Sequence, residues 1–337
     1  MIPLFSRRRF LTASAASTLA ASSGLAGESN VSQGATFSMD RTSTRFYVPG
    51  LETPSRFLHV TDTHLFLDDE RGKPFQEFST RMAGAYHQNQ HVKTGQPVTP
   101  MEAFEEALRL AREKQVDGVA LTGDILSFPS EAGADWALER LKALEKDQIP
   151  FHYTAGNHDW HYEGCEGTDA EQRAEWLPKR LSRFYAQDVN PLCFSVVKKG
   201  IRHLFIDDSI YEILPEQTEF LHSELALGEP SVVWMHVPPY APGRSVGFGC
   251  GHPNWGANTD TVWKIERRRQ WPKNGHSKAS FDFYHLLCGA PNLLGTFCGH
   301  IHSDSLDLVC GKPFVVTEAN ARGGVRLIEF LPFPKEY

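Results

Sequence analysis

Along residues 51–337 the apolar positions alternate between two rhythms. Short apolar runs that stop at Gly, Asp, Asn, His or Pro predict strands at 56–61, 118–122, 151–154, 194–197, 203–206, 232–235, 294–298, 314–317 and 326–330. Between them, helical spacing predicts helices over about 100–115, 131–147, 170–186, 216–226 and 279–288. The first is the best marked. Thr99-Pro100-Met101-Glu102 is a capping box with proline at the first helical position, and Phe104, Ala107, Leu108 and Ala111 then fall on one face. Strands alternating with helices place the chain in the α/β class.

Three stretches break the rhythm. Residues 27–50 are polar and weakly periodic, and read as a linker into a domain over 51–337. Within that domain, about 65–98 and about 240–278 read as insertions, the second dense in Gly, Pro, Trp and Arg. Loops of that length are uncommon in compact domains and usually functional or disordered. The segment 1–26 is different again. Ser6-Arg7-Arg8-Arg9-Phe10-Leu11 precedes a mildly apolar run rich in Ser, Thr and Ala, and Gly24-Leu25-Ala26 offers small residues for cleavage near Ala26. The Arg-Arg-x-Phe-Leu arrangement resembles a twin-arginine signal peptide. That route carries folded proteins, so metals can be loaded before export. The run falls short of the ~20 strongly apolar residues of a membrane span. The expected location is therefore periplasmic or otherwise extracytoplasmic, with no stable span after cleavage.

The chain has 337 residues, a formal charge of -7 and 22% charged residues, a balance that argues against a nucleic-acid partner. Six cysteines (Cys165, Cys193, Cys250, Cys288, Cys298 and Cys310) form no C-x-x-C pair. Disulfides are open to an exported protein, and their pairing is not readable from spacing.

The chemistry lies at the strand ends. Asp62-Thr63-His64, Gly123-Asp124, Gly156-Asn157-His158-Asp159, His236 in Met235-His236-Val237-Pro238-Pro239, and Gly299-His300-Ile301-His302 each stand where a predicted strand gives way to a loop. Ligands of open α/β sheets bind at that edge. Carboxylate, amide oxygen and imidazole suit borderline metals such as Mn, Fe or Zn. Two cations ~3.5–4 Å apart need a shared ligand, and Asp124, alone in its block, is the natural bridge.

In this order the five blocks resemble the signature of the calcineurin-like metallophosphoesterase family, D-x-H, G-D, G-N-H-D/E, H and G-H-x-H, over roughly residues 56–302. The resemblance implies a four-layer α/β/β/α sandwich of two mixed sheets with flanking helices. It implies two divalent or trivalent transition-metal ions: Asp62, His64 and His302 on one, Asn157, His236 and His300 on the other, and Asp124 on both. It implies that His158 binds no metal and directs a hydrogen bond or proton at the phosphate, with Asp159 orienting it. A phosphate ester resists hydrolysis because its anionic oxygens repel nucleophiles and its leaving group is poor. A metal pair draws off that charge and lowers the pKa of a bound water towards ~7, so that a bridging hydroxide can attack in line. Purple acid phosphatases carry a tyrosine just after the bridging aspartate. Here Ile125, Leu126 and Ser127 follow, so that branch is not expected.

Other residues receive plainer readings. His59, His152 and His203 are expected to be structural histidines. Tyr86, His87 and His91 are expected on a polar surface. Arg244, His252, Asn254, Trp255, Arg267, Arg268, Arg269 and Trp271 read as a lid or substrate wall, since arginine forks suit phosphate and tryptophan suits a sugar or base face. His161 is placed beside the catalytic loop as a possible substrate contact, while Glu318 and Asn320 close a late strand near the site. The expected activity is hydrolysis of a small-molecule phosphoester. A phosphodiester is favoured because the insertions can hold a second substituent. The alternatives are a phosphomonoesterase with the same metals and a non-catalytic binding module.

Overall fold

The computed structural model describes residues 34–85, 89–242, 244 and 276–334. Its strands are β1 (Thr36–Met39), β2 (Ser43–Val48), β3 (Ser55–Val60), β4 (Asn89–Gln90), β5 (Pro97–Val98), β6 (Gly118–Thr122), β7 (Phe151–Thr154), β8 (Cys193–Lys198), β9 (Ile201–Ile206), β10 (Ser231–Trp234), β11 (Leu293–Cys298), β12 (Ser305–Val309), β13 (Lys312–Val316) and β14 (Arg326–Pro332). Its α-helices are α1 (Gln76–Gly84), α2 (Pro100–Glu113), α3 (Glu131–Lys146), α4 (Asp169–Trp176), α5 (Pro215–Ala226) and α6 (Lys278–Gly289). One sheet runs β1-β2-β14-β3-β6-β7 and the other β12-β13-β11-β10-β9-β8. Both are mixed: β3, β6 and β7 are parallel, as are β9, β10, β11 and β13, while β14 lies antiparallel to β3 and β8 antiparallel to β9.

The period-2 geometry of strands sorts side chains between three cores. Phe57 on β3, Ala120 on β6, Phe205 on β9, Trp234 on β10 and Phe297 on β11 meet between the two sheets. Leu58, Val60, Val119 and Leu121 face the other way, under Phe104 and Leu108 of α2 and Ala137 and Leu141 of α3. Leu204, Ile206 and Val233 likewise face Leu221 of α5 and Phe283 and Leu287 of α6. The result is the expected four-layer α/β/β/α sandwich. Its strands read as continuous apolar runs because both of their faces are buried.

All nine predicted strands and five predicted helices form, with small shifts at their ends. The helix over 170–186 stops early: α4 passes into a π turn at Leu177–Leu181, where Pro178 has no N–H to continue the ladder, and then into a 3-10 turn at Ser182–Phe184. The linker reading of 27–50 is corrected over its described part, residues 34–50. β1 and β2 are part of the first sheet, and Phe46 and Val48 enter the inter-sheet core. Only three alternating positions, Thr44, Phe46 and Val48, point inward, too few to stand out against Ser43, Arg45 and Tyr47. The stretch 65–98 is not a plain loop either, since it holds a 3-10 turn at Glu70–Phe75, α1 and the short β4–β5 pair. No described helix is long and apolar enough to cross a membrane. The expected signal segment, Tyr86, His87, Cys250, His252, Asn254, Trp255, Arg267, Arg268, Arg269 and Trp271 lie outside the described residues.

The inter-sheet core also buries histidines. His59 bonds Thr317 Oγ1 at 2.8 Å and Thr122 Oγ1 at 2.6 Å. His203 stacks on Phe57 at 4.0 Å and accepts from Trp234 Nε1, and His152 packs against Phe57 and Phe205. Burial, with the Arg326 charge, lowers His59 to about 3. Burial, with Lys198, lowers His152 to about 4. Unfolded histidines protonate near pH ~6.5, so between those values the unfolded chain binds more protons. Stability is complete above about pH 6.5 and is lost as the pH falls towards 3–4. Denaturant midpoints are expected to drop between about pH 7 and pH 4.5. In His152→Phe, which removes one of these titrations, they should drop less. An unchanged slope would remove His152 from this account.

Candidate metal centre

The carboxyl ends of the parallel strands in both sheets open onto one site. The chain reaches it through tight left-handed turns. Asp62, His64, Asp124, His300 and His302 have φ of 53°, 54°, 49°, 70° and 54°. Non-glycine residues in that region cost about 1–3 kcal/mol each and persist where neighbouring structure fixes them. Here the turns hold one another. Asp62 N donates to Gly123 O at 3.0 Å, His64 N to Asp124 O at 2.9 Å, and Gly299 N to His236 O at 3.0 Å. His300 N donates to both oxygens of the Asp62 carboxylate, at 3.1 and 2.9 Å. A Cβ on Gly299 would lie 2.3 Å from Asp62 Oδ2, so only glycine permits this approach.

These turns gather the predicted donors into two overlapping groups. Asp62, His64, Asp124 and His302 each place a ligand atom within 4.8 Å of the others, and so do Asp124, His236 and His300. Asp124 belongs to both. Asn157 completes the second group, with Oδ1 3.2 Å from His236 Nε2. His302 Nε2 lies 3.2 Å from Asp62 Oδ1 and 3.0 Å from His64 Nε2. His236 Nδ1 faces the Thr122 carbonyl at 2.8 Å, which assigns its hydrogen there and turns the Nε2 lone pair inward.

A model of the calcineurin-like phosphoesterase family matches residues 55–304. The chain belongs to this family. It is a hydrolase that acts on phosphoester bonds with the aid of metal ions. Among solved structures, a dimetal phosphatase from Danio rerio is similar at 13% identity and TM-score 0.45, over 80% of this chain and 88% of that one. A purple acid phosphatase from yellow lupin is similar at 15% identity and TM-score 0.47, over 83% of this chain and 46% of that one. No curated protein sequence matches significantly.

The donors of this phosphoesterase fit a pair of cations. His236 Nε2 faces Asp124 Oδ2 at 3.2 Å, Asn157 Oδ1 at 3.2 Å and His300 Nδ1 at 3.3 Å. A single proton there satisfies one of three lone pairs, whereas a cation can take them all. Burial, reinforced by His158 and His302, holds His64 well below its usual range, so it stays neutral and able to ligate. Burial opposes the charge on Asp124, but His236 and His158 overcome it and keep the carboxyl ionised. Burial likewise opposes a proton on His236, yet the Asp124 and Asp62 carboxylates raise it to about 10. Entering metal therefore displaces a proton.

His158 stands beside these groups. Its Nδ1 faces the Ser127 carbonyl at 3.2 Å and its Nε2 lies 4.0 Å from Asp124 Oδ2. The expectation that Asp159 orients this ring is corrected. The Asp159 carboxylate accepts from Leu126 N, Gly156 N and Tyr153 OH, all at 2.8 Å, and so ties the Asp124 and Asn157 loops together, while the Ser127 carbonyl holds the ring.

Two further readings change. Arg244 is no phosphate fork: it is buried against Asp307 and the Pro239 carbonyl. His91 is buried, not on the surface, and faces Glu106 at 3.3 Å. Asn320, whose role was open, accepts from Thr63 Oγ1, and its backbone N bonds Thr61 O beneath the Asp62 turn. His161 is buried in the same loop as His158, its N donating to His158 O.

One supporting residue escaped the sequence reading. Asp208 Oδ1 accepts from His236 N and Val237 N at 3.0 and 3.1 Å and fixes the turn that carries His236. The signal was present: Asp207-Asp208 directly follows β9, as the ligand blocks follow their strands.

Proposed function

We propose that this phosphoesterase hydrolyses small phosphodiesters outside the cytoplasm, using two metal ions and His158. The observation that carries the dinuclear reading is the membership of Asp124 in both donor groups. Asp62, His64 and His302 would hold one ion, and Asn157, His236 and His300 the other. Bound, the pair would neutralise charge on the phosphoryl oxygens and supply an acidified water. Mn, Fe and Zn all match the donor set.

The chain's own groups do the rest. The Asp124 carboxylate, common to both donor groups, would hold the two positions together. Its Oδ1 accepts from His158 N at 2.7 Å, which fixes the loop that presents His158 to a bound ester. With Nδ1 donating to Ser127 O, His158 can carry a proton on Nε2 towards the leaving oxygen. The side chain keeps a narrow opening to solvent, 9% exposed.

The diester preference is supported by the length of chain inserted after His64 and after His236, enough to wall in a second substituent. The test is elemental analysis of the purified protein joined to rates on bis-(p-nitrophenyl) phosphate and p-nitrophenyl phosphate. About two ions per chain and a higher kcat/KM on the diester are expected. A higher value on the monoester would reverse the substrate assignment. No turnover of any phosphoester by metal-loaded protein would favour a binding module. The N-terminal Arg-Arg-x-Phe-Leu segment supports export. A mature N-terminus near Gly27, on protein recovered outside the cytoplasm, would be the matching result.

A further inference from the structure

We infer that Asp304, clamped by Arg326, is a positioning residue for His302 and so governs one of the two metal positions. The inference rests on the two-ion reading above, in which Asp62, His64 and His302 hold one ion. His302 stands on a left-handed turn, φ 54°, and its side chain is 21% exposed. A residue in that conformation persists only where neighbouring structure fixes it. Asp304 follows two residues later, immediately before β12.

The clamp is the side chain of Arg326, the first residue of β14, which is fully buried. A buried charge must be paired and hydrogen-bonded. Arg326 Nη1 donates to the Asp40 carbonyl and, at 3.1 Å, to the Ser43 carbonyl, while Nη2 donates to the Arg41 carbonyl at 3.0 Å. These bonds fix the guanidinium on the β1–β2 turn. Its carboxylate partner is Asp304, whose Oδ1 accepts from Nη2 at 3.3 Å. The same oxygen accepts from Glu318 N at 3.1 Å, and Oδ2 accepts from Arg41 Nε at 3.4 Å. Asp304 therefore joins the first sheet, through Arg41 and Arg326, to the chain leaving β13 in the second.

The same stretch supports another donor of that position. Asn320 N donates to Thr61 O at 2.8 Å and Ala321 N to Asp62 O at 2.9 Å. Arg326 itself pairs in register with His59 of β3, the strand that leads to Asp62. Residues 318–326, beyond the last of the five ligand blocks, thus grip the Asp62 turn through backbone and the His302 turn through Asp304. The other position has a brace of its own, since Asp208 holds His236 N and Val237 N. Separate braces predict separate losses.

The test is equilibrium dialysis of the metal-free full chain against Mn(II). Asp304→Ala is expected to bind one ion as the wild type does and the other roughly 10–100-fold more weakly. Asp304→Asn keeps an oxygen for Glu318 N and Arg326 and should lose much less. Added to His302→Ala, Asp304→Ala should weaken binding little further, because the ligand it supports is already gone. Added to His300→Ala, it should weaken the remaining ion as strongly as in the wild type. Asp304→Ala leaves the buried Arg326 charge bare, so Asp304→Ala with Arg326→Met removes both members of the pair and should show the same one-ion loss. Both ions weakened alike, unchanged binding, or an equal loss on the two ligand backgrounds would each overturn the inference. A wild type that takes up no Mn(II) would overturn the two-ion reading along with it, whereas the other results bear on Asp304 alone.

Discussion

Asp124→Ala is expected to strip metal from both positions at once. Its carboxylate is the donor common to the two groups, 3.2 Å from His236 Nε2 on one side and 3.9 Å from His64 Nε2 on the other. Each of the other clustered donors belongs to one group only, so its loss should leave the second position partly filled. Loss of an outer-shell partner already costs roughly 10–100-fold in metal affinity, and removal of the shared ligand should exceed that for both ions. Elemental analysis after dialysis against a weak chelator should fall from about two ions per chain to well below one. Asp124→Asn separates ligation from folding, because an amide oxygen still accepts from His158 N, a bond of 2.7 Å in the native chain. Melting curves of the metal-free proteins should then show Asp124→Asn folded. Full metal content in Asp124→Ala would end the bridging assignment, whatever happened to activity.

His158→Ala should do the opposite: keep both ions and lose turnover. The ring touches the donor groups without being counted among them, and its Nδ1 is engaged by Ser127 O. A general acid matters in proportion to how much its leaving group needs a proton. An alkyl ester should therefore slow by roughly 10²–10⁴-fold, while a p-nitrophenyl ester, which departs readily as an anion, should slow much less. That dependence on leaving group separates proton donation from simple damage to the site. An equal loss on both esters would reduce His158 to a binding role, and unchanged rates on the alkyl ester would remove it from the mechanism.

The two results bear on different parts of the sequence reading. The donor blocks were legible because a ligand residue just past an apolar run is a local pattern. Each of Asp62, Asp124, Asn157, His236 and His300 sits within three residues of a strand end. The strands themselves were legible because both faces of most are buried, which leaves few polar interruptions. β1, β2 and β12 were missed because they lie at or near sheet edges. There one face meets solvent, and the inward residues are few: Phe46 and Val48 on β2, for example. The role of Asp159 was misassigned because adjacency along the chain says nothing of direction. Its side chain turns into the core towards Tyr153, while His158 turns towards the ions' expected place.

By itself, the sequence determined which residue types stand at the strand ends, in what order, and which helices cap and cover the sheets. Those follow from short-range periodicity, capping chemistry and donor identity, all confined to a few neighbouring residues. Tertiary structure alone decided that residues as far apart as Asp62 and His302 come within 3.2 Å, and that Asp159 ties the Asp124 and Asn157 loops together and does not orient His158. Such contacts depend on strand order, on the packing of one sheet against another, and on left-handed turns held by distant backbone, none of which leaves a mark in local spacing.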